Sequence, residues 1–352
     1  MCKNEPSTSW KEVIDPGEEC LFNKFALEIV EMQKNVAKKE NLHKAHRGFH
    51  AKIHTGVKAE FEVCNGIPEY ARVGIFSEPK KFSALVRFSN GKPNTQSDKK
   101  KEPRGIAIKL SRVEGTKIFF DKNNPKAQDF LATSHSLTSA VRNAKQFIAF
   151  IRGTNPNTLK ALIGMVKEIG FFEFIRIFYA IIARVVLSNV KSMATETYFG
   201  TAPIKFGPYA VKYTIRPSNH IMEVNSSINK KNSNFLREDL ADRLQKGDLF
   251  FDFLIQFYVN EKCTPIEDTS ILWKEKDAPF LKVGQLRIPS CDFSNIESEK
   301  ITQEIDSLSF NPWHTIEEYK PLGSIMRARK IAYQASFAFR DQNIEPVKLS
   351  SK

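Results

Sequence analysis

The chain has 352 residues, of which 41% are hydrophobic and 28 are phenylalanine, so it can build a large globular core and is not predicted to be disordered. Its formal net charge is +13, but the basic residues are scattered, and the densest run (99–101) lies in a polar stretch typical of a solvated loop. This pattern argues against a nucleic-acid partner and suits an anionic small-molecule ligand.

The termini and the cysteines bear on domain organisation and location. Five widely spaced cysteines without a CxxC pair favour free thiols in a reducing compartment over a zinc site. No apolar run follows the charged N-terminal residues, so we predict no secretory signal and a cytoplasmic location. Residues 1–24 are predicted to form a loosely held polar arm, residues 25–345 one domain, and residues 346–352 a tail.

The predicted elements alternate between strand-rich and helical regions. Predicted helices cover residues 25–40, 140–190, 236–245 and 324–340. Predicted strands cover residues 58–63, 84–89, 105–110, 209–215, 250–258 and 283–288. Residues 117–120 and 128–131 are predicted to pair as a hairpin across a turn. Strands, helices, strands and one last helix indicate an α+β fold around an antiparallel sheet or barrel.

The most apolar stretch covers residues 162–190. Charged residues interrupt it, so no apolar run of about 18 residues is present to span a bilayer. We interpret the stretch as one or two amphipathic helices that are more often buried. The sequence leaves open a peripheral membrane contact through these residues.

The last predicted helix places three functional candidates on one face. At about 100° per residue, Tyr333 lies about 40° and Arg340 about 20° around the helix axis from Arg329. A solvated stripe that happens to contain two arginines is the simpler interpretation. The alternative is a tyrosine suited to ionise, because nearby cations stabilise a phenolate, which is a hard ligand for ferric iron.

Two further clusters contain candidate anion-binding and acid/base residues. His50 follows Arg47 by three positions, although a lone histidine is more often structural than catalytic. Arg87 and Ser89 share one face of a predicted strand, with apolar residues on the other face. An arginine on a packed strand needs an anion, because burying it unpaired costs several kcal/mol. Arg47, Arg87 and Arg340 are thus candidate clamps for a bound anion.

Taken in order, these clusters resemble the heme catalases. Arg47-x-x-His50-Ala-Lys resembles the distal-histidine strand, and Arg87-Phe-Ser89 resembles its partner strand. Other matching segments are Pro103-Arg-Gly-Ile-Ala-Ile-Lys109, Gln128-Asp-Phe-Leu131, Pro265-Ile-Glu-Asp268, Phe310-Asn-Pro-Trp313, Pro321-Leu-Gly and Arg327–Tyr333. The resemblance covers residues 25–340 and is nearest to the short catalase-related branch, which includes allene oxide synthases that act on fatty-acid hydroperoxides.

The resemblance implies a catalase-like antiparallel β-barrel with helices packed outside and a ferric heme b between the barrel and the last helix. Tyr333 would ligate the iron as tyrosinate, and Arg329 would hydrogen-bond its phenolate oxygen. His50 would be the distal acid/base, and Ser89 would orient its ring. The heme propionates would be held by Arg47, Arg87 and Arg340.

One departure from the family concerns the distal asparagine. The alignment puts Ser134 where the family has an amide, and the two aromatic residues that usually follow are missing. A gap in the alignment would instead bring Asn123 or Asn124 to this position. A serine hydroxyl is shorter than an amide and can turn away from a bound peroxide.

The resemblance therefore implies a heme-dependent catalase or peroxidase-like oxidoreductase with a role in the oxidative stress response. Its expected substrate is hydrogen peroxide or an organic hydroperoxide such as a lipid hydroperoxide, and Ser134 predicts weak catalase activity. Two alternatives stay open: hydroperoxide rearrangement of the allene oxide synthase type, and a non-catalytic heme-binding protein. The sequence is also compatible with a homo-oligomer.

Overall fold

A closed barrel of eight antiparallel strands forms the centre of the protein. The computed structural model describes residues 5–119, 124–134, 138–154, 159–183, 190–218, 232–293 and 295–341. The strands are β1 Ile53–Val63, β2 Lys81–Ser89, β3 Gly105–Leu110, β4 Gln128–Ser134, β5 Tyr198–Phe206, β6 Tyr209–Pro217, β7 Leu249–Phe257 and β8 Leu281–Ile288. Consecutive strands pair in sequence order, and β8 returns to pair with β1.

The helices surround this barrel and come from four regions of the chain. They are α1 Glu18–Lys39, α2 Ala144–Thr154, α3 Leu159–Ile169, α4 Phe171–Ile181, α5 Phe235–Lys246, α6 Ile296–Ser307 and α7 Ser324–Arg340. Among the described residues, no helix has the length and apolar character needed to cross a membrane. α1 and α7 pack together through Phe25, Ile29, Ala328 and Ala332, and Ile148 of α2 joins this cluster.

The barrel interior is filled by side chains from alternate strand positions. Phe61, Phe130 and Phe253 are almost fully buried, and the Phe130 and Phe253 rings meet at a centroid distance of 4.9 Å. Aromatic edge-to-face contacts of this kind add to the stabilisation from burial. Because successive strand residues point to opposite faces, the intervening positions of β2 to β5 face away from this core.

One row of paired residues crosses four strands on that other face. Ser89 of β2 pairs with Gly105 of β3, which pairs with Thr133 of β4, which pairs with Phe199 of β5. All four residues line the same cavity beside the barrel. The sheet register therefore determines which side chains meet there.

The predicted architecture is confirmed, including the bounds 105–110 of β3 and 324–340 of α7. The predicted hairpin is wrong: Lys117 forms an isolated bridge with Ile316, β4 pairs with β3 and β5, and residue 120 lies outside the described part of the chain. Two elements, β5 and α6, were not predicted. The long helical region 140–190 divides into α2, α3 and α4, and its residues 155–158 and 184–189 lie outside the described part of the chain.

The N-terminal arm is shorter and better anchored than its polar composition predicts. α1 begins at Glu18, inside the predicted arm. The Ser7 backbone N–H donates to the Tyr258 carbonyl at 2.9 Å, and Trp10 Nε1 donates to the Pro208 carbonyl at 2.9 Å. The arm is thus hydrogen-bonded to the barrel and to the loops between its strands, whereas the predicted tail at 346–352 lies outside the described residues.

The prediction of free thiols is wrong for Cys263. Cys263 is disulfide-bonded, whereas Cys20, Cys64 and Cys291 are free. Sequence spacing does not reveal such a pairing, because it depends on which loops the fold brings together.

Candidate active site

A cavity of about 420 Å³ lies between the barrel face and the helices α1, α2 and α7. Its lining is mostly apolar, and its polar side chains come from a few positions. Among the lining residues are seven of the predicted site residues: Arg47, His50, Arg87, Ser89, Arg329, Tyr333 and Arg340. The three-dimensional structure therefore brings together residues that are separated by up to 293 positions (from 47 to 340) in the sequence.

Tyr333 and Arg329 form a hydrogen-bonded pair on the cavity side of α7. Arg329 Nη2 donates to the Tyr333 hydroxyl at 2.8 Å, and the guanidinium carbon lies 5.2 Å from the centre of the tyrosine ring. Burial by itself would lower the pKa of Arg329, but the Tyr333 oxygen raises it above its ordinary value. The guanidinium thus stays cationic and donates a charge-assisted hydrogen bond to the Tyr333 oxygen.

His50 lies in the segment before β1 with its imidazole held from one side. Nδ1 is 2.5 Å from the Asn90 carbonyl oxygen, which only accepts, so Nδ1 carries the proton and Nε2 has a free lone pair. Burial, and then repulsion by Arg87, lower the pKa of His50 to about 4. At neutral pH the ring is uncharged, so Nε2 is able to accept a proton from a molecule in the cavity.

The space for the His50 ring depends on Gly105. A Cβ on Gly105 would lie 2.5 Å from His50 Nδ1 and 2.8 Å from Ser89 Oγ, which is well inside van der Waals contact. Ser89 Oγ in turn lies 3.2 Å from His50 Nδ1. His50 itself has the unusual backbone φ of 57°, a conformation that non-glycine residues adopt mainly under local constraint. The ring position is thus set by Asn90, Ser89 and Gly105.

Three arginines meet around a single carboxylate at one end of the cavity. Arg47 Nη1 and Arg87 Nε donate to the same Asp306 oxygen at 2.8 and 2.9 Å. Arg340 Nη2 donates to the carbonyls of Ser307 and Leu308 at 3.3 and 3.1 Å. Asp306 contacts two of these guanidinium groups, and Asp341 beside Arg340 acts on that arginine electrostatically, so the cluster keeps an excess of positive charge.

The electrostatics of this cluster favour a further anion. Burial lowers the pKa of Arg340 to about 10 and also lowers the pKa of Arg47 and Arg87, since each charge is partly removed from water. Burial would raise the pKa of Asp306, but Arg87 and Arg47 outweigh it and hold that pKa below its usual range. A carboxylate or phosphate entering the cavity would offset the remaining repulsion among the arginines.

Ser134 does not take the position that the sequence comparison suggested. Its hydroxyl accepts from the Arg104 backbone N–H at 2.9 Å, and it is not among the described residues that line the cavity. Thr133, one position earlier, lines the cavity and pairs with Gly105. A shift of one residue in a strand moves a side chain to the opposite face, which explains the difference. Of the two alternatives, Asn124 does not line the cavity, and Asn123 lies outside the described residues.

A buried charged network next to the cavity was not predicted. Lys109 Nζ donates to both Asp129 oxygens at 2.7 and 2.9 Å, and one of these oxygens also lies 3.0 Å from His314 Nδ1. The same oxygen accepts from the Asn311 backbone N–H at 2.9 Å. Three motifs noted for their resemblance thus join β3, β4 and the loop before α7. The charged residues of these motifs were the sequence signal that could have indicated this network. Asp306 was the corresponding signal for the arginine cluster.

Comparisons with known proteins identify one family. The sequence matches the catalase family over residues 23–342. It is 22% identical over 306 residues to Catalase-A of Dictyostelium discoideum, covering 78% of this chain and 55% of that protein. It is 23% identical over 274 residues to a catalase of Methanosarcina barkeri, covering 71% of this chain and 51% of that protein. The chain thus spans about half the length of these curated relatives.

The fold is also similar to solved catalase structures. Catalase A from Saccharomyces cerevisiae superposes with a TM-score of 0.63 at 17% identity, covering 87% of this chain and 63% of that one. A fungal catalase superposes with a TM-score of 0.62 at 18% identity, covering 87% and 61%. At this identity the similarity establishes the eight-stranded barrel with its surrounding helices.

Proposed function

Because this chain belongs to the catalase family, we propose that it binds one heme b and decomposes peroxides. The observation that carries the proposal is that His50, with a neutral imidazole, and the Arg329–Tyr333 pair line the same cavity. Acid/base and iron-ligating groups are both required for peroxide chemistry, and they are rarely combined in one apolar cavity for structural reasons alone.

The residues present fit a heme. The apolar lining suits a flat macrocycle, and the excess of positive charge around Asp306 suits propionate groups. Arg47, Arg87 and Arg340 would hold the propionates, and Tyr333 would ligate the iron with Arg329 stabilising its phenolate. When bound, the heme iron supplies the redox chemistry that breaks the peroxide O–O bond.

His50 performs the proton transfer in this proposal. Its Nε2 would take a proton from one oxygen of the peroxide and return it to the other, departing oxygen, while Nδ1 stays bonded to the Asn90 carbonyl. General acid/base catalysis of this kind contributes roughly 10²–10⁴-fold. Ser89 supports the ring from the same side as Asn90 and is a positioning residue.

The activity is tested by optical spectra of the purified protein before and after addition of hydrogen peroxide. We expect a tyrosinate-ligated ferric heme spectrum that changes on mixing, with oxygen release measured by electrode. A heme spectrum that never responds to any peroxide would support the non-catalytic alternative. Absence of a heme-binding spectrum after reconstitution would contradict the proposal itself.

Organic hydroperoxides are a second candidate substrate class, which includes rearrangement of the allene oxide synthase type. No asparagine is among the described residues that line the cavity, and the short Thr133 side chain occupies the central row beside Gly105. Phe147 and Phe150 of α2 extend the apolar lining, which suits a hydrocarbon chain. We expect better turnover of cumene hydroperoxide or a fatty-acid hydroperoxide than of hydrogen peroxide, with product analysis to separate reduction from rearrangement.

A further inference from the structure

The helical hairpin α3–α4 exposes an unusual amount of apolar surface. Within the described part of the chain, 15 large hydrophobic side chains are exposed, and eight of them lie between residues 159 and 182. These eight residues, here called the hairpin face, are Leu159, Ile163, Phe171, Phe172, Ile175, Phe178, Tyr179 and Ile182. Phe172 is 87% exposed and Tyr179 is 74% exposed. Such a concentration marks an interaction surface, since scattered single residues are the ordinary case.

The hairpin face is a continuous stripe. At about 100° per residue, its six members on and just after α4 fall within an arc of about 120°. The other side of α4, with Phe174, Ile177 and Ile181, packs against α2 and α3. α4 therefore carries apolar residues on two sides, one packed in the core and the other exposed at the surface.

The charges around the hairpin face are unbalanced. Its acidic neighbours are neutralised within the protein, because Glu173 pairs with Arg176 at 2.9 Å and Glu168 pairs with Arg152 at 2.9 Å. Lys160 and Lys167 are exposed, and neither forms an ion pair with another described residue. On α3, both lysines lie within about 100° of Leu159 and within about 60° of Ile163, so they border the α3 part of the hairpin face. The rim is therefore positive.

We propose that the hairpin face docks the protein on the surface of an anionic lipid bilayer. Aromatic and aliphatic residues beside exposed lysines are the composition of helices that lie in the membrane interface, where apolar groups enter the acyl boundary and lysines meet anionic headgroups. A second copy of the chain is disfavoured as the occupant, because each copy carries a net charge of +13.

Docking in this orientation deepens the proposed function. Phe147 and Phe150 of α2 line the cavity and also pack against the inner side of the hairpin, so α2 lies between the hairpin and the cavity. This substrate assignment rests on the proposed peroxide chemistry. Under that proposal, the expected substrates are hydroperoxides of acyl lipids, because docking would hold the cavity close to the bilayer. Membrane docking does not require peroxide turnover, so the docking proposal and the proposed function can fail separately.

The test is co-flotation of the full-length protein with vesicles of phosphatidylcholine alone or phosphatidylcholine with phosphatidylserine. We expect binding to the anionic vesicles that weakens with salt, and at least tenfold weaker binding of the double variant Phe172→Glu/Phe178→Glu. Lys160→Glu/Lys167→Glu should weaken binding to anionic vesicles at least tenfold while leaving peroxide turnover unchanged. The matched control is Leu27→Glu/Ile271→Glu, which alters two exposed apolar residues outside the hairpin face and should bind like the parent.

Two outcomes would overturn the docking proposal. The first is equal vesicle binding by the hairpin-face variant and the control, with melting curves showing that both are folded. The second is no vesicle binding together with a concentration-dependent dimer in analytical ultracentrifugation that Phe172→Glu/Phe178→Glu abolishes, which would make the face a self-association surface. If vesicles bind as expected but lipid hydroperoxides are not turned over, the docking surface stands and the substrate assignment fails.

Discussion

Replacing Gly105 with alanine is the most direct test of how His50 is positioned. The new Cβ would lie 2.5 Å from His50 Nδ1 and 2.8 Å from both His50 Cε1 and Ser89 Oγ. Ordinary contacts between such atoms are about 3.5–4.0 Å, so the ring must move by about 1 Å. The strand cannot yield instead, because Gly105 is paired with Ser89 on one side and Thr133 on the other.

The expected cost follows from that displacement. A misplacement of about 1 Å in a catalytic group lowers the rate by roughly 10²-fold, and the bond from Nδ1 to the Asn90 carbonyl would break as well. The assay is a stopped-flow measurement of the spectral change of the heme-loaded protein on mixing with hydrogen peroxide. Heme content should be retained, since Gly105 lies beside His50 and not on α7.

The control for this experiment is Gly247→Ala. A Cβ there meets nothing within 4 Å, and its φ of 170° is open to any residue, so activity and stability should match those of the parent. If Gly105→Ala reacts with peroxide as fast as the parent while folded and heme-loaded, the argument that Gly105 sets the ring position is refuted. A loss of folding would be recognised by its melting curve and its heme content.

Four other predictions concern Tyr333, His50 and the end of β4. Tyr333→Phe should lose most heme or change the Soret and charge-transfer bands of the heme. The control Tyr70→Phe, at an exposed site, should do neither. Unchanged bands in Tyr333→Phe would refute the assignment of Tyr333 as the iron ligand. His50→Ala should keep heme but lose roughly 10²–10⁴-fold in reaction rate with peroxide. In the parent protein the pKa of His50 is about 4, so the rate should be constant above that pH and fall as the pH drops through 4, where Nε2 becomes protonated. A fall centred near pH 6.5 would contradict the neutral, buried ring. Thr133→Asn should raise oxygen release from hydrogen peroxide by roughly three- to tenfold, the worth of one neutral hydrogen bond, whereas Ser134→Asn should give no gain. The reverse result would restore Ser134 to the distal position.

Periodicity explains why much of the site was predictable. On α7, a spacing of four and seven residues places Arg329, Tyr333 and Arg340 on one face whatever the helix packs against, and all three line the cavity. Arg87 and Ser89 share a strand face for the same reason, and both line the cavity. Local geometry that repeats along the chain is read directly from the order of the residues.

Side-chain direction at the end of β4 required the tertiary structure. Ser134 and Thr133 differ by one position, and only the pairing of Thr133 with Gly105 shows which of them faces the cavity. The partners of Arg47 and Arg87 are likewise set by α6, which brings Asp306 across more than 200 positions of the chain. No local pattern encodes such distances.

The sequence by itself indicated an α+β fold around an antiparallel sheet or barrel and the faces of its helices and strands, because these depend on residue type and short-range spacing, whereas the roles of His50 and Tyr333 are implied by the resemblance to the heme catalases. The tertiary structure decided the strand register, the carboxylate among the arginines and the exposure of the hairpin face. An apolar residue such as Phe172 reads like a core residue in the sequence, as Ile177 does. Which of the two is buried depends on where α2 and α3 pack against α4, and that is a property of the assembled fold.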